Sequence, residues 1–294
     1  MHDTMRKHLV MMMNKWYKLV FKQLSPFHIG KYNYGVVSET EIFIPGYTMW
    51  GALVNYYGLK NGGTEDAFDD AKGKFEMITC FYPYFEENNV LFPKFERGKL
   101  YYGEYTEEEL RRKLTDTFVS TAILPITRSA KDESLHETEI ILPKSKDDNK
   151  QVFWTGIIKL EDENISKNYL LKGLEIIIGG DSRYGFGKLK LDDIQEIKKE
   201  DLAEWQIDEN GCLIENNNKI YNQIRNYIEV SGVELLKGKY RTIAELDFNK
   251  IMSNKSNGQN NGQEFTLCFV PGSYVKVNGS DKYSLNRGLF KKIE

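Results

Sequence analysis

Apolar and polar residues in the N-terminal part of the chain form a strand pattern followed by a helix pattern. Residues 16–24 alternate between apolar and polar side chains, which predicts a half-buried strand. Residues 25–35 have the composition of a loop, and a second strand is predicted through Ile42 and Ile44. A Pro-Gly pair then opens a predicted helix that ends at Gly58. Its apolar positions follow helical spacing: Met49, Trp50, Leu53, Val54 and Tyr57.

The next segments predict a polar loop, short strands and a second helix. Residues 61–74 are polar and predict a loop, whereas residues 75–102 are rich in aromatics, are broken by two prolines and predict short strands. Thr106 and Glu109 form a T-x-x-E capping box, which marks a helix start. The apolar positions of this helix are Leu110, Leu114 and Phe118.

Strand patterns recur before a long apolar stretch. Residues 118–126 and 152–160 are predicted strands, and a charged segment, 127–139, follows the first of them. Apolar residues recur every three or four positions over residues 165–178, which predicts a helix leading directly into a glycine-rich stretch. The charged residues 192–205 predict a surface connection.

The C-terminal part has two strand patterns, residues 239–248 and 265–277, on either side of an Asn/Gly-rich segment. That segment, 253–264, has the composition of a flexible linker. Residues 287–292 form a basic end.

Composition limits the partners that the whole molecule can attract. The 294 residues carry a net charge of −3 with 40% hydrophobic residues, so the chain is expected to fold but not to attract nucleic acid through its overall field. A polyanion would have to be held locally. Cys80, Cys212 and Cys268 are odd in number and far apart, which argues against a disulfide framework or a zinc site and fits a reducing cytoplasm. No apolar run approaches the roughly 20 residues of a membrane span, so no membrane association is expected.

The stretch IIIGGDSRYGFGKLKL, residues 176–191, is the strongest candidate site. Its glycines permit positive φ and close approach by a ligand, and successive N–H groups in such turns bind anions. Arg183 and Lys188 add positive charge. The spacing matches neither a phosphate-binding P-loop nor a dinucleotide-binding loop. RNA phosphate is one candidate ligand, and the alternative is a tight connection that only packs.

Other polar residues are weaker candidates. His28 lies in a predicted loop near Lys31 and Tyr32, where a neutral imidazole can act as a general base. His136 lies in a charged segment that holds both basic and acidic residues, and one histidine with carboxylates does not make a zinc site. The acidic run at residues 66–70 could attract Mg²⁺, but a solubilising loop explains it better. No metal or cofactor is therefore expected.

Three motifs in order resemble those of the RAMP superfamily of CRISPR-associated proteins. The pattern G-G-x-x-x-x-G-F-G-x-[LV] resembles the glycine-rich loop of that superfamily. SPFHIGKY resembles the segment after its first strand, and FIPGYTMWGAL resembles the turn and first helix of backbone subunits of type III effector complexes. With TGIIKL, the resemblance covers residues 16–191.

This resemblance implies an α+β fold with a ferredoxin-like antiparallel sheet of the RNA-recognition-motif type, helices on one face and a smaller C-terminal region. Residues 15–195 would form the RAMP-type domain, with an inserted arm near residues 128–150. Residues 196–294 would form either a degenerate second RAMP-type half or a docking surface for a neighbouring subunit.

The function that the resemblance implies is a non-catalytic, RNA-contacting subunit of a type III effector. Its expected partners are guide RNA, target RNA and other effector subunits. The residues expected to contact RNA are Gly179, Gly180, Ser182, Arg183, Tyr184, Gly185, Gly187, Lys188, Lys31 and Arg128.

Departures from the family pattern bear on catalysis. Tyr47, Met49 and Trp50 replace small hydroxyl and basic residues, and KYNYGVVSETE lacks the Asp of target-cleaving subunits, so target cleavage is not expected. One alternative is a metal-independent guide-processing endoribonuclease with His28 as general base, supported by Lys31 and Tyr32. Another is a protein-binding module without RNA contact.

Overall fold

A computed structural model describes residues 15–85, 89–214, 222–246, 263–278 and 281–293. The predicted linker at residues 253–264 lies almost entirely outside the described residues. The helices are α1 (Gly46–Lys60), α2 (Glu65–Lys74), α3 (Glu107–Leu114) and α4 (Glu163–Asn168). The strands are β1 (Lys15–Gln23), β2 (Gly30–Tyr34), β3 (Val37–Thr40), β4 (Tyr82–Tyr84), β5 (Pro93–Glu96), β6 (Lys99–Tyr102), β7 (Tyr105–Thr106), β8 (Thr115–Ser120), β9 (His136–Ile141), β10 (Phe153–Leu160), β11 (Glu175–Ile177), β12 (Lys188–Glu196), β13 (Asn222–Gln223), β14 (Tyr227–Glu229), β15 (Val233–Lys237), β16 (Tyr240–Leu246), β17 (Gln263–Phe269), β18 (Tyr274–Val277), β19 (Lys282–Asn286) and β20 (Leu289–Ile293).

A five-stranded antiparallel sheet with the order β11-β12-β1-β10-β4 forms the centre of the N-terminal part. The predicted strands at residues 16–24 and 152–160 are confirmed as β1 and β10. β1 is central and is covered on both faces, with Leu19, Val20 and Phe21 all buried, so the prediction of a half-buried strand is wrong. A central strand buries both of its alternating side-chain sets when each face is packed.

A second sheet with the order β2-β3-β9-β8 stands beside the first. The prediction of a loop over residues 25–35 is wrong for its second half, because β2 and β3 form a hairpin that turns at Gly35 with φ 62°. The strand predicted through Ile42 and Ile44 instead ends at Thr40. Ile42 and Ile44 are fully buried, and Ile44 makes only a single bridge, to Phe81.

The helix at the Pro-Gly pair is confirmed as α1, which continues two residues beyond Gly58. The loop predicted for residues 61–74 is wrong, because α2 occupies most of it. Thr64 caps this helix by accepting a hydrogen bond from the Ala67 N–H at 3.3 Å. The ring of Phe68 packs so closely on Gly58 that a Cβ there would lie 2.2 Å from it. Packing against α1 therefore forms a helix that the polar composition does not reveal.

The capping box at Thr106 is confirmed as the start of α3. The Thr106 amide donates to Glu109 Oε2 at 2.8 Å, and the Glu109 amide donates to Thr106 Oγ1 at 3.2 Å. The helix ends at Leu114, so Phe118, predicted on its apolar face, lies in β8 instead. The short strands predicted within residues 75–102 are confirmed as β4, β5 and β6.

The C-terminal part forms two further sheets, β13-β18-β15 and β16-β17-β14-β20-β19. The two strand patterns predicted there are confirmed: β16 pairs antiparallel with β17, and β18 follows. The surface connection predicted for residues 192–205 is wrong in part, because β12 extends to Glu196 and because Leu202 and Trp205 are buried. The fold is thus α+β with several antiparallel sheets and few helices, which confirms the predicted class at this level. None of the described helices is both long and apolar enough to cross a bilayer.

Candidate nucleic-acid interface

The glycine-rich stretch connects two paired strands of the central sheet. The helix predicted over residues 165–178 is wrong, since α4 ends at Asn168 and β11 pairs antiparallel with β12 through Ile176 and Leu189. The isoleucines before the glycines alternate between buried and exposed positions, as strand residues do. The loop that follows is therefore held at both ends by the sheet, and residues 179–185 are exposed.

Two of the four glycines allow the loop to pack against the chain itself. A Cβ on Gly179 would lie 2.2 Å from the His28 carbonyl oxygen, and one on Gly187 would lie 2.1 Å from the Ile178 carbonyl oxygen. Both residues have positive φ, 71° and 92°. Gly187 is also buried and donates its N–H to the Pro26 carbonyl at 2.8 Å. Their close approach is to protein backbone, not to a ligand.

The other two glycines leave space open at the surface. No atom lies within 4 Å of a Cβ placed on Gly180 or Gly185. Gly180 anchors the loop by donating its N–H to the His28 carbonyl at 3.0 Å. Gly185, with φ 84°, ends a short 3₁₀ turn formed by Ser182–Tyr184. The open side of the loop thus lies between these two glycines.

This open side presents unpaired backbone donors. Asp181 has φ 56° and opens the turn in the left-handed region. The N–H groups of Asp181, Ser182 and Arg183 have no hydrogen-bond acceptor among the described residues. Successive N–H groups in such a left-handed to right-handed turn point to a common centre and bind anions. The segment can therefore hold a phosphate oxygen without relying on side-chain charge alone.

The charged side chains at the loop differ in their availability. Arg183 is exposed and makes no ion pair with any described residue. Lys188 lies 2.7 Å from Glu175, so its charge is partly neutralised. The exposed Asp181 carboxylate offsets part of the positive charge. Arg183 is consequently the cation that this loop offers to a ligand.

Aromatic rings support the loop from the second sheet. The Tyr184 ring lies 5.8 Å from the Phe118 ring at 48°, and Phe118 makes an edge contact with Phe186 at 5.3 Å. Tyr184 remains 66% exposed despite this contact. The sequence pattern placed Phe118 both on the predicted helix and at the start of the predicted strand 118–126, and it lies on a strand, β8. Its contact with Tyr184 was not predicted.

The face of the second sheet that carries Phe118 is polar and uncharged at its centre. Across the neighbouring strands, Phe118 pairs with Thr138 and Thr138 pairs with Ser38. Ser38 in turn pairs with Asn33. Residues paired across a ladder lie on the same face. The Ser38 hydroxyl donates to Asn33 Oδ1 at 2.8 Å, which agrees with this register. These residues were not predicted, although alternation in KYNYGVVSETE could have indicated them.

His28 lies beneath this face and is held by its own hydrogen bonds. Its Nδ1 donates to the Glu139 carbonyl at 2.8 Å, and its Nε2 lies 3.3 Å from Ser38 Oγ. The side chain is only 8% exposed. The backbone carbonyl of His28 accepts a hydrogen bond from the Gly180 N–H. His28 therefore links the glycine loop to the hairpin.

Lys31 is neutralised within an ion cluster. Its ammonium lies 2.9 Å from Glu39 and 2.6 Å from Glu107, and Arg111 contacts Glu39, Glu107 and Glu139 at 2.6–2.9 Å. Burial alone would raise the pKa of Glu107, but Lys31 and Arg111 hold it below its ordinary value. Lys31 therefore offers no unpaired positive charge to RNA.

The remaining candidates lie apart from the loop. Tyr32 points to the other face of the sheet, because its neighbour Asn33 shares a face with Ser38. Arg128 is exposed with φ 54° in the connection between β8 and β9, where its N–H donates to the Leu124 carbonyl at 2.8 Å. His136 begins β9 and is exposed.

Metal ligands do not gather in the part of the chain that the structure describes. Within those ranges, no three His, Cys, Asp or Glu side chains come close enough to hold a metal ion. Two carboxylates of the acidic run, Asp69 and Asp70, pair with Lys72 and Lys74 on α2 at 2.6 Å. These acidic residues therefore stabilise the helix surface.

Comparison with solved structures shows which fold this is. One chain of a cryo-EM structure of the type III-B Cmr-beta bound to cognate target RNA and AMPPnP matches with a TM-score of 0.58 and 16% identity, over 88% of this chain and 86% of that one. A chain of the type III-B Cmr-beta bound to cognate target RNA matches with a TM-score of 0.57 and 15% identity, over 94% and 99%. A chain of a Csm3-Csm4 subcomplex in the type III-A CRISPR-Cas interference complex has a lower TM-score, 0.47, at 15% identity over 89% and 93%.

The two Cmr-beta matches show that this chain shares its overall fold with those chains, which agrees with the α+β class that the resemblance implies. No protein-family model matches the sequence. No curated protein matches it either. The similarity therefore lies in the fold and in short motifs.

Proposed function

We propose that this chain is a non-catalytic, RNA-contacting subunit of a type III CRISPR effector, built on a RAMP-type fold. Two independent observations support the family. The chain shares its fold over most of its length with chains of type III-B Cmr-beta structures bound to cognate target RNA. It also carries the three motifs in the expected order along residues 16–191.

The central sheet supports a ferredoxin-like domain over residues 15–195. If β1, β4, β10 and β12 are taken as its four strands, their spatial order is fourth, first, third, second, with every neighbouring pair antiparallel. α1 lies between the first and second strands in the sequence, and α4 between the third and fourth. This order of strands and helices is consistent with the β-α-β-β-α-β arrangement. Residues 196–294 would then form the smaller C-terminal region.

The unpaired amides of residues 181–183 beside the free Arg183 are the observation that carries RNA contact. A chain with a net charge of −3 needs a local site for a polyanion, and backbone N–H groups supply polarity without net charge. Contacts of this kind recognise phosphate without reading sequence. Guide RNA is the ligand proposed, with target RNA and neighbouring effector subunits as further partners.

The position of His28 supports a non-catalytic role. A general base must reach the proton that it removes, but this imidazole is only 8% exposed and its Nδ1 is held by the Glu139 carbonyl at 2.8 Å. Lys31 and Tyr32, its proposed helpers, are respectively neutralised and on the other face of the sheet. The histidine instead holds the glycine loop in place.

Charge reversal at Arg183 tests RNA contact. We expect Arg183→Glu to weaken binding of single-stranded RNA about tenfold, because a charge-assisted phosphate contact is replaced by repulsion. The slope of log K against log salt should fall by roughly 0.7 for the phosphate contact that is lost. Fluorescence anisotropy with labelled RNA over a salt series measures both quantities.

Arg112→Glu is the matched control, since it makes the same charge change at another exposed arginine without an ion pair among the described residues. Its helix, α3, packs through Arg111 on Glu39 and Glu139, which point away from the face of Ser38 and Thr138. Equal losses in both variants, or no salt-sensitive binding by the unmodified protein, would contradict the RNA site. Cleavage of repeat RNA in EDTA that is lost in His28→Ala would overturn the non-catalytic assignment.

A further inference from the structure

The exposed ring of Tyr184 is unusual because it is both open to solvent and fixed in position. We infer that Tyr184 stacks on a nucleobase of single-stranded RNA, so that the glycine loop holds a nucleotide by its base as well as by its phosphate. This inference rests on the proposed function, since it assumes that RNA reaches the loop.

The Tyr184 ring is positioned by one aromatic neighbour, Phe118, which has support of its own. Phe118 contacts it at 5.8 Å, and Phe186, two residues along the loop, contacts Phe118 at 5.3 Å. Phe118 is itself fixed in β8 through its pairing with Thr138. A preorganised ring loses little conformational entropy when a base stacks on it. An exposed ring with this support can therefore contribute binding free energy that a freely rotating tyrosine cannot.

The surroundings of Tyr184 favour a nucleotide over a protein partner. The ring follows directly after Arg183 and the unpaired amides of residues 181–183, so a phosphate and a base can be held by adjacent residues. Protein hot spots, in contrast, lie in well-packed, fully desolvated pockets, whereas this ring stands beside backbone amides and a guanidinium that have no partner among the described residues. The polar neighbours here match the alternation of charge and ring along a nucleic-acid strand.

The adjacent sheet face extends this surface without adding charge. Asn33, Ser38 and Thr138 share the face of Phe118 and carry amide or hydroxyl groups. Such groups contact sugars and base edges. The opposite face presents Tyr32, Tyr34 and Val37 together with the ion cluster, in which Lys31 and Arg111 are already paired with carboxylates. The side of the glycine loop, in contrast, offers Arg183, which makes no ion pair with any described residue.

Substitution of Tyr184 tests stacking separately from charge. With labelled single-stranded RNA of about 15 nucleotides, Tyr184→Ala should weaken binding about 5- to 150-fold, the range for loss of one base-aromatic stack. The salt slope should stay unchanged, because no phosphate contact is lost. Tyr184→Phe should bind within about twofold of the unmodified protein, because the ring is kept.

Tyr34→Ala is the matched control, because Tyr34 is 62% exposed, also contacts another ring, and lies on the opposite sheet face. Unchanged affinity in Tyr184→Ala, or an equal loss in Tyr34→Ala, overturns the stacking inference while the salt-dependent contact of Arg183 still stands. Thermal denaturation of each variant shows whether it folds, and 2-aminopurine placed in the RNA should lose its quenching only in Tyr184→Ala. If the unmodified protein binds no RNA, the proposed function fails as well.

Discussion

At the scale of single residues, the four loop glycines have two different roles. The sequence suggests that all four allow a ligand to approach. At Gly179 and Gly187, however, a Cβ would collide with backbone carbonyl groups of the chain itself. Their neighbours in space are His28, which lies in a different loop, and Ile178, the residue that follows β11. Sequence spacing identifies where φ is positive more readily than it identifies which atom approaches.

A pair of alanine substitutions separates these roles. Gly187→Ala should destabilise the protein by about 2–4 kcal/mol, because it adds the cost of positive φ for a residue with a Cβ to a 2.1 Å contact with backbone. Gly180→Ala should change the free energy of unfolding by less than about 0.5 kcal/mol, since the space there is open and φ is not positive. Chemical denaturation measures both, and equal effects would contradict the division.

The candidate site was predictable from sequence only in its local part. Arg183, Tyr184 and Gly180 lie where the motif placed them, in one exposed turn. Lys31 was also predicted to contact RNA, but Glu39 and Glu107 neutralise it, and Glu107 is 76 positions away in the sequence. A long-range ion pair leaves no periodic signal, and the same is true of the contact between Phe118 and Tyr184.

At the scale of elements, the sequence predicted the helix starts that depend on a few neighbouring residues. It did not predict the elements that depend on packing between distant segments. The capping box of α3 and the Pro-Gly start of α1 are local, and both are confirmed. The isoleucines of residues 176–178 satisfy a helical pattern as well as a strand pattern, and pairing with β12 decides between them. Residues 61–74 form α2 because Phe68 packs on Gly58 of α1, which composition alone does not show.

The ion cluster that fastens α3 to the β2–β3 hairpin should give stability that depends on pH. The pKa of Glu107 is held below its ordinary value of 4.5 in the folded state, so its contribution is complete above 4.5 and is lost as the pH falls through the lower folded value. Glu107→Gln should lower stability at pH 7 and flatten the decline on the acid side of 4.5. Urea denaturation from pH 7 to pH 3 measures this, and an acid limb as steep as that of the unmodified protein would contradict it.

At the scale of the whole molecule, the N-terminal and C-terminal parts share one core. Asn226 Oδ1 accepts the Cys80 N–H at 2.8 Å, and the guanidinium of Arg287 lies 3.9 Å from the Trp50 ring while pairing with Glu76. Tyr227 is buried beside Phe43. The C-terminal part is thus packed against the turn and helix that begin at residue 45, and it keeps that helix in position relative to the central sheet.

This packing predicts that the two parts unfold together, and glycine at position 46 is its most sensitive point. A Cβ on Gly46 would lie 2.5 Å from the Gly288 Cα, and backbone atoms cannot move aside as a flexible side chain can. Gly46→Ala should therefore lower stability by more than about 2 kcal/mol.

Gly51→Ala, further along α1, meets no atom within 4 Å and should raise stability by about 0.5–1 kcal/mol through helix propensity. Calorimetry should show a single transition for the unmodified protein and for Gly51→Ala. Two separate transitions in the unmodified protein, or a Gly46→Ala variant as stable as Gly51→Ala, would show that the C-terminal part is an independent unit and not part of the core that holds α1.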